Sequence, residues 1–135
     1  MITDNKPTAV DQIGLWPAEL DALVASPKQH KLMFENDRVR VLETKIEPGE
    51  ITPAHTHRWP SVYYIQSWSD FIRRDADGNL IVDSRENEKF HSPPPSIWSD
   101  PLPPHSLENV GDQPILLIGV ELKDYGLLHI IDNAI

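Results

Sequence analysis

The sequence predicts an all-β fold, an antiparallel barrel or sandwich with one short N-terminal helix, on three observations. Beyond residue 29 the apolar residues recur with period two in short runs, and turn residues separate those runs. The 13 prolines outnumber the 6 glycines and gather in clusters, Pro93-Pro94-Pro95 and Pro101 with Pro103-Pro104, that bound apolar segments. Proline fixes φ and donates no backbone hydrogen bond, so punctuation of this kind suits loops between strands better than helices.

Taken in order, residues 1–13 show little periodicity and read as an arm. From Pro17 the run Ala18-Glu19-Leu20-Asp21-Ala22-Leu23-Val24 spaces its apolar positions for a short helix, with Pro17 suited to the first turn and Pro27 preventing continuation. Residues 1–29 are therefore expected to form an arm and helix packed on a barrel of residues 30–135. Strands are expected over 30–34 and 38–46; in the second, Arg40, Leu42, Thr44 and Ile46 share one face and Val39, Val41 and Glu43 the other. Pro48-Gly49-Glu50 is a turn, and residues 61–67, with Val62, Tyr63, Tyr64 and Ile65, carry the residue types of a pleated surface.

Residues 71–74 and 80–83 flank Asp75-Ala76-Asp77-Gly78-Asn79, a hairpin loop rich in residues that tolerate positive φ. The polar stretch 84–88 reads as an exposed connection, Ile97-Trp98 resumes strand, and a proline-rich corner brings the chain to His105. Residues 114–122 form a long apolar strand, and 127–131 supply a last one. No internal repeat or second domain interrupts this succession, which argues against an α/β fold.

A chain of 135 residues suits one domain with one core. The formal charge of −9, from 12 basic and 21 acidic residues, disfavours nucleic acid and anionic membrane surfaces as partners. No apolar run approaches the ~18 residues of a membrane span, and Met1-Ile2-Thr3-Asp4-Asn5-Lys6 lacks a signal-peptide profile, so a soluble, cytoplasmic protein is expected. The absence of cysteine excludes disulfides, thiolate catalysis and cysteine-ligated zinc. Any metal must be held by nitrogen and oxygen.

His55-Thr56-His57 is the most informative tripeptide. In an extended strand, residues two apart project from one face, so both imidazoles reach one point. Taken alone, the same tripeptide also reads as two solvent-exposed histidines near a turn. Its context is Gly49, five residues, then His55-x-His57, with His105, three residues, then Asn109 further on. Through these two segments the chain resembles the cupin superfamily from about Phe34 to Leu122, including the hairpin between the motifs and the Gly111-Asp112-Gln113-Pro114 turn.

The resemblance implies an antiparallel cupin-like β-barrel, or jelly roll, with His55, His57 and His105 as ligands of one divalent metal and Asn109 as a loop-ordering residue. Two departures stand out. Where the family's first motif has a glutamate, this chain has Ser61 or Val62, and where it has a later glycine, Trp68. The second motif lacks its glycine and shifts its proline, giving Pro101-Leu102-Pro103-Pro104 before His105. Three neutral imidazoles without the carboxylate leave the ion its full charge and open positions, a set that suits Fe, Zn, Mn, Ni or Cu and does not choose among them. Ser61 is placed to hydrogen-bond a metal-bound water.

Tyr63 shares a strand face with Ser61 and is the candidate catalytic group, able to orient or protonate substrate, or else an aromatic that fills the barrel. Trp59 and Trp98 are candidate lips of the mouth and, with Ser61, candidate substrate contacts; packing is the other reading for each tryptophan. Arg40 and Glu121 are charged residues on apolar strands, for which outward solvation is the simpler expectation. His30, His91 and His129 have no spacing partner and are expected to be ordinary histidines. The expected activity is that of a small-molecule dioxygenase, by resemblance to three-histidine iron cupins, or an isomerase; the alternative is a non-catalytic ligand-binding or sensor module. A homodimer is expected, since the 115–120 run and the 127–131 tail offer more apolar surface than one barrel covers.

Overall fold

In a computed structural model, which describes residues 16–124, nine strands form two antiparallel sheets. The expected arm over 1–13, the strand over 127–131 and His129 lie outside the described residues. One sheet has the order β1-β2-β9-β4-β7, from β1 (His30–Glu35), β2 (Val39–Ile46), β4 (Ser61–Ser67), β7 (Ser96–Ser99) and β9 (Ile115–Leu122). The other has the order β3-β8-β5-β6, from β3 (His55–His57), β5 (Phe71–Asp75), β6 (Leu80–Asp83) and β8 (Leu102–Asn109). The expected antiparallel jelly roll is thus present, as two facing sheets in a sandwich rather than a closed barrel.

Alternation along β2 sets the phase of the first sheet. Arg40, Leu42, Thr44 and Ile46 are buried on its inner face, and Ile46 meets Phe71 and Ile115 in a cluster that Trp68, Val82, Phe90, Leu107 and Leu117 extend. The long β2–β9 ladder, from Val39↔Leu122 to Ile46↔Ile115, fixes that register. The outer face carries the row Phe34, Val41, Val120, Val62 and Trp98, paired strand to strand.

The loops depart from expectation in three places. The helix over 18–24 is a 3-10 turn, Ala18–Leu20, followed by one helical turn, α1 (Ala22–Ala25). Asp21 separates them because its carboxylate caps α1 through the Leu23 amide at 3.1 Å while its backbone bridges to Thr56. The stretch after β6 is not wholly exposed: Ser84 is fully buried, accepting from the Phe71 amide and donating to Asp70 Oδ1, each at 2.8 Å. Pro103 and Pro104 lie inside β8, where the pairing with β3 slips between His55↔His105 and His57↔Leu102. A slipped register does not need the amide hydrogens that proline lacks.

Asn109, buried at the end of β8, donates to the Ile46 and Gln113 carbonyls, each at 2.8 Å, and accepts from the Gly111 amide at 3.0 Å. It ties the turn before β9 to the end of β2. Among the described residues no helix is long and apolar enough to cross a membrane.

Candidate metal centre

Strand pairing brings distant histidines together. His55 on β3 stands directly opposite His105 on β8, with ring centroids 4.5 Å apart. His57 lies 5.1 Å from His55 and 5.8 Å from His105 by the same measure. The expected trio of His55, His57 and His105 is thus gathered at one place, and all three rings are buried.

His30 joins them, against the expectation that it is an ordinary histidine. Its ring centroid is 4.8 Å from that of His55 and 5.2 Å from that of His57, and the ligand nitrogens of His30, His55 and His57 all lie within 4.8 Å of one another. Two nitrogens on one ion at bonds of ~2.1 Å can stand up to ~4.2 Å apart. These three lie within about 0.6 Å of that separation. His30 takes the place expected of His105 in this trio, and His105 stands beside it with its ring against that of His55. The cause is the β1–β2 register, which sets His30 opposite Thr44 on the inner face.

Each ring is anchored by Nδ1. His55 Nδ1 donates to the Pro53 carbonyl and His105 Nδ1 to the Pro103 carbonyl, both at 2.8 Å, so the same Pro-x-His device orients two rings from two strands. His30 Nδ1 donates to the Ser26 carbonyl at 2.9 Å, and His57 Nδ1 to Glu121 Oε2 at 3.2 Å. Carbonyl and carboxylate oxygens only accept, so Nδ1 must carry the proton in each ring. Burial pushes His30 and His57 down to about 3, and His55 and His105 below the ordinary imidazole range. At neutral pH the rings are uncharged, and Nε2 keeps a free lone pair. Neutral imidazoles whose far nitrogen is tied to an oxygen acceptor are the donor set that fits a divalent transition metal.

Behind His57 runs a buried chain of charge. Arg40 donates from Nε to Glu121 and from Nη1 and Nη2 to the two Asp21 oxygens at 2.9 and 2.8 Å. The expectation that Arg40 and Glu121 point to solvent is overturned: they are 6% and 1% exposed. Their parity on β2 and β9 turns both inward, and only mutual pairing makes such burial tolerable. Burial alone would raise the Asp21 carboxyl, but its bonds to Arg40 win and hold it below the usual carboxylate range. Burial raises Glu121, and the Arg40 bond opposes that rise.

The histidines line one wall of a cavity of about 230 Å³, whose other walls include Phe71, Phe90, Leu107, Leu117 and the cation of Arg73. Tyr63 lines it as well, with its ring centroid 6.3 Å from that of His57. Tyr63 pairs across strands with Gly119, where any Cβ would stand 2.7 Å from Tyr63 Cε1; the missing side chain makes room for the ring. Burial pushes the phenol above its ordinary value, so it stays protonated, hydrogen-bonded to Ser61.

Trp98, in the outer row of its sheet and 46% exposed, borders the cavity beside the inward Ile97 and donates to Asp100 Oδ1 at 3.0 Å. Ser61 and Trp59 are not among the lining residues. Ser61 is buried and donates to the Trp59 carbonyl at 3.2 Å, because its side chain turns back along the chain. Trp59 is covered by cations, with Arg40, Arg58 and Lys123 at 5.0, 5.1 and 5.5 Å from its ring, so its aromatic face is already engaged. His91 stands apart, its Nε2 3.1 Å from the Ser84 carbonyl.

His30, Glu121 and Arg73 are the site residues that local spacing does not reveal. A signal existed for two of them: a charged residue in phase with inward apolar ones, Arg73 with Phe71 on β5 and Glu121 with Ile115 on β9.

Among solved structures, a cupin domain from Bordetella pertussis Tohama I matches 70% of this chain and 91% of its own length, with a TM-score of 0.52 at 18% identity. A protein with a double-stranded β-helix domain from Klebsiella pneumoniae covers 71% of this chain and 76% of its own, with a TM-score of 0.49 at 14% identity. An RmlC-like cupin from Methanocaldococcus jannaschii covers 74% and 84%, with a TM-score of 0.49 at 10% identity. No family model and no curated protein matches the sequence.

Proposed function

Because this chain has the cupin fold, we propose that it is a metal-dependent enzyme acting on a small molecule, with one divalent transition metal held by His55, His57 and His105 together with His30. The observation that carries the reading is the uniform anchoring of those rings. Each Nδ1 is bound to an oxygen acceptor, which leaves an uncharged Nε2 for an ion. His30 supplies an extra donor where the first motif has Ser61 in place of a glutamate, since Ser61 gives its hydroxyl to the chain.

Iron bound there supplies dioxygen chemistry on a chelated substrate, and a redox-inert ion supplies Lewis-acid polarisation. The protein's own groups do the rest. Asp21, Arg40 and Glu121 hold the His57 ring in one tautomer. Tyr63 keeps the proton at its hydroxyl, within the same cavity as the histidines, and is suited to orient a bound substrate rather than to give that proton up. The cavity admits only a small ligand, because its space lies below the several hundred cubic ångströms typical of larger pockets.

The test is to load the metal-free protein with Fe(II) without oxygen, then follow oxygen consumption with small chelating substrates, β-dicarbonyls and aromatic diols. Turnover by the wild type that disappears in His57→Ala supports a dioxygenase. Stoichiometric metal with no turnover on any of them favours a non-catalytic binding module.

A further inference from the structure

Arg73 stands on β5 opposite Leu107 of β8 and in phase with Phe71, so its side chain points into the cavity. Its charge is close enough to act on His55, His57 and His105. Unlike Arg40, with two carboxylates, and Arg74, 2.9 Å from Glu108, Arg73 has no acidic partner among the described residues. Its Nε is buried without a hydrogen-bond acceptor, and its guanidinium carbon lies 5.8 Å from the centre of the Phe71 ring.

Arginine does not escape such a position by losing its proton, and a half-buried guanidinium whose Nε is shut off from water without an acceptor is costly. A bound divalent ion surrounded by neutral imidazoles would add two more positive charges to the same space. Even without that ion, the Arg73 charge suits the cavity to an anion, although the chain as a whole carries a formal charge of −9. One planar guanidinium matches one planar carboxylate through paired N–H donors.

We propose that Arg73 is the receptor for the carboxylate of a small substrate, whose apolar or aromatic body lies against Phe71 and Phe90 and whose other end reaches the histidines. Only the last clause rests on the metal reading; the recognition of the carboxylate does not. Arg73 is then a specificity-determining residue, and the substrate class is small carboxylic acids of about the volume of a substituted benzoate.

The experiment is calorimetric titration of wild type, Arg73→Gln and Arg73→Lys with benzoate, phenylacetate and 3-phenylpropionate and their amides, in metal-free and Co(II)-loaded protein. The wild type is expected to bind at least one acid ~10- to 100-fold more tightly than its amide, the range of one charge-assisted contact. Arg73→Gln is expected to erase that preference and Arg73→Lys to restore part of it. Equal affinity of wild type for every acid and its amide, or an acid preference that survives in Arg73→Gln, overturns the assignment. The wild-type comparison needs no variant to fold. Co(II) binding reads the other reading separately: no Co(II) binding with the acid preference intact sinks the metal centre alone, and Co(II) binding without the preference sinks the Arg73 role alone.

Discussion

His57 Nδ1 and Glu121 Oε2 lie 3.2 Å apart, and Arg40 holds the other oxygen of the same carboxylate. That carboxylate therefore sets the tautomer of a ring whose far nitrogen faces the cavity. Replacing Glu121 with Gln keeps the shape and removes the charge. Metal affinity is expected to fall ~10- to 100-fold, as for other partners behind a ligand, and stability by about 1–3 kcal/mol, since Asp21 still pairs with Arg40. Competition titration with a chromophoric chelator and urea melts measure the two effects; unchanged metal affinity contradicts the link.

Metal-free protein is expected to lose stability as pH falls from about 6.5 toward 3. His30 and His57 sit at about 3 in the folded chain, against 6.5 unfolded. Between those values the unfolded chain binds protons that the folded chain refuses, so acid favours unfolding. Each ring contributes roughly 1.4 kcal/mol per pH unit inside that window and nothing above it. Urea melts at several pH values check the slope, and a flat profile between pH 6 and 4 contradicts it. The same melts with metal present are expected to hold stability further into acid, because the ion competes with protons for Nε2.

Gly119→Ala places a methyl 2.7 Å from Tyr63 Cε1 and 3.1 Å from Cδ1. The ring must move, at a cost of about 1–3 kcal/mol. In a Tyr63→Ala background the same change is expected to be nearly neutral, which a double-mutant cycle of urea melts detects. A cost that persists without the ring places the strain elsewhere.

His30→Ala is expected to weaken metal binding by at least ~10-fold, as loss of a direct ligand should cost no less than loss of a group behind one. His91→Ala, whose ring bonds the Ser84 carbonyl away from the cluster, is expected to leave it unchanged. Equal affinities for the two variants would falsify the place of His30 in the centre.

What could be read from the chain was local. The phase of β2, the His55-x-His57 pincer and the turn at Gly49, with its φ of 85°, follow from alternation and backbone chemistry within a few residues. His105 was reachable only through a resemblance that also recognised its partner segment. His30 was not reachable, because its place depends on the β1–β2 pairing opposite Thr44, and nothing in Gln29-His30-Lys31 announces it. Arg40 and Glu121 were misplaced because a single charge on an apolar strand favours solvent, and only the ladder that sets them opposite each other makes their burial tolerable. Of the two readings of Trp59, lip of the mouth or packing, the structure shows packing, against cations that come from β2 and from the end of β9.

The central claim is that imidazoles from separate strands share one ion. X-ray absorption at the metal edge, on protein loaded with one equivalent of Co(II) or Zn(II), tests it most directly. The account predicts one ion per chain with nitrogen and oxygen neighbours at ~2.0–2.1 Å and outer-shell scattering from at least three imidazoles, reduced in His55→Ala. Sub-stoichiometric metal, or a shell of oxygen alone with no imidazole scattering, contradicts it.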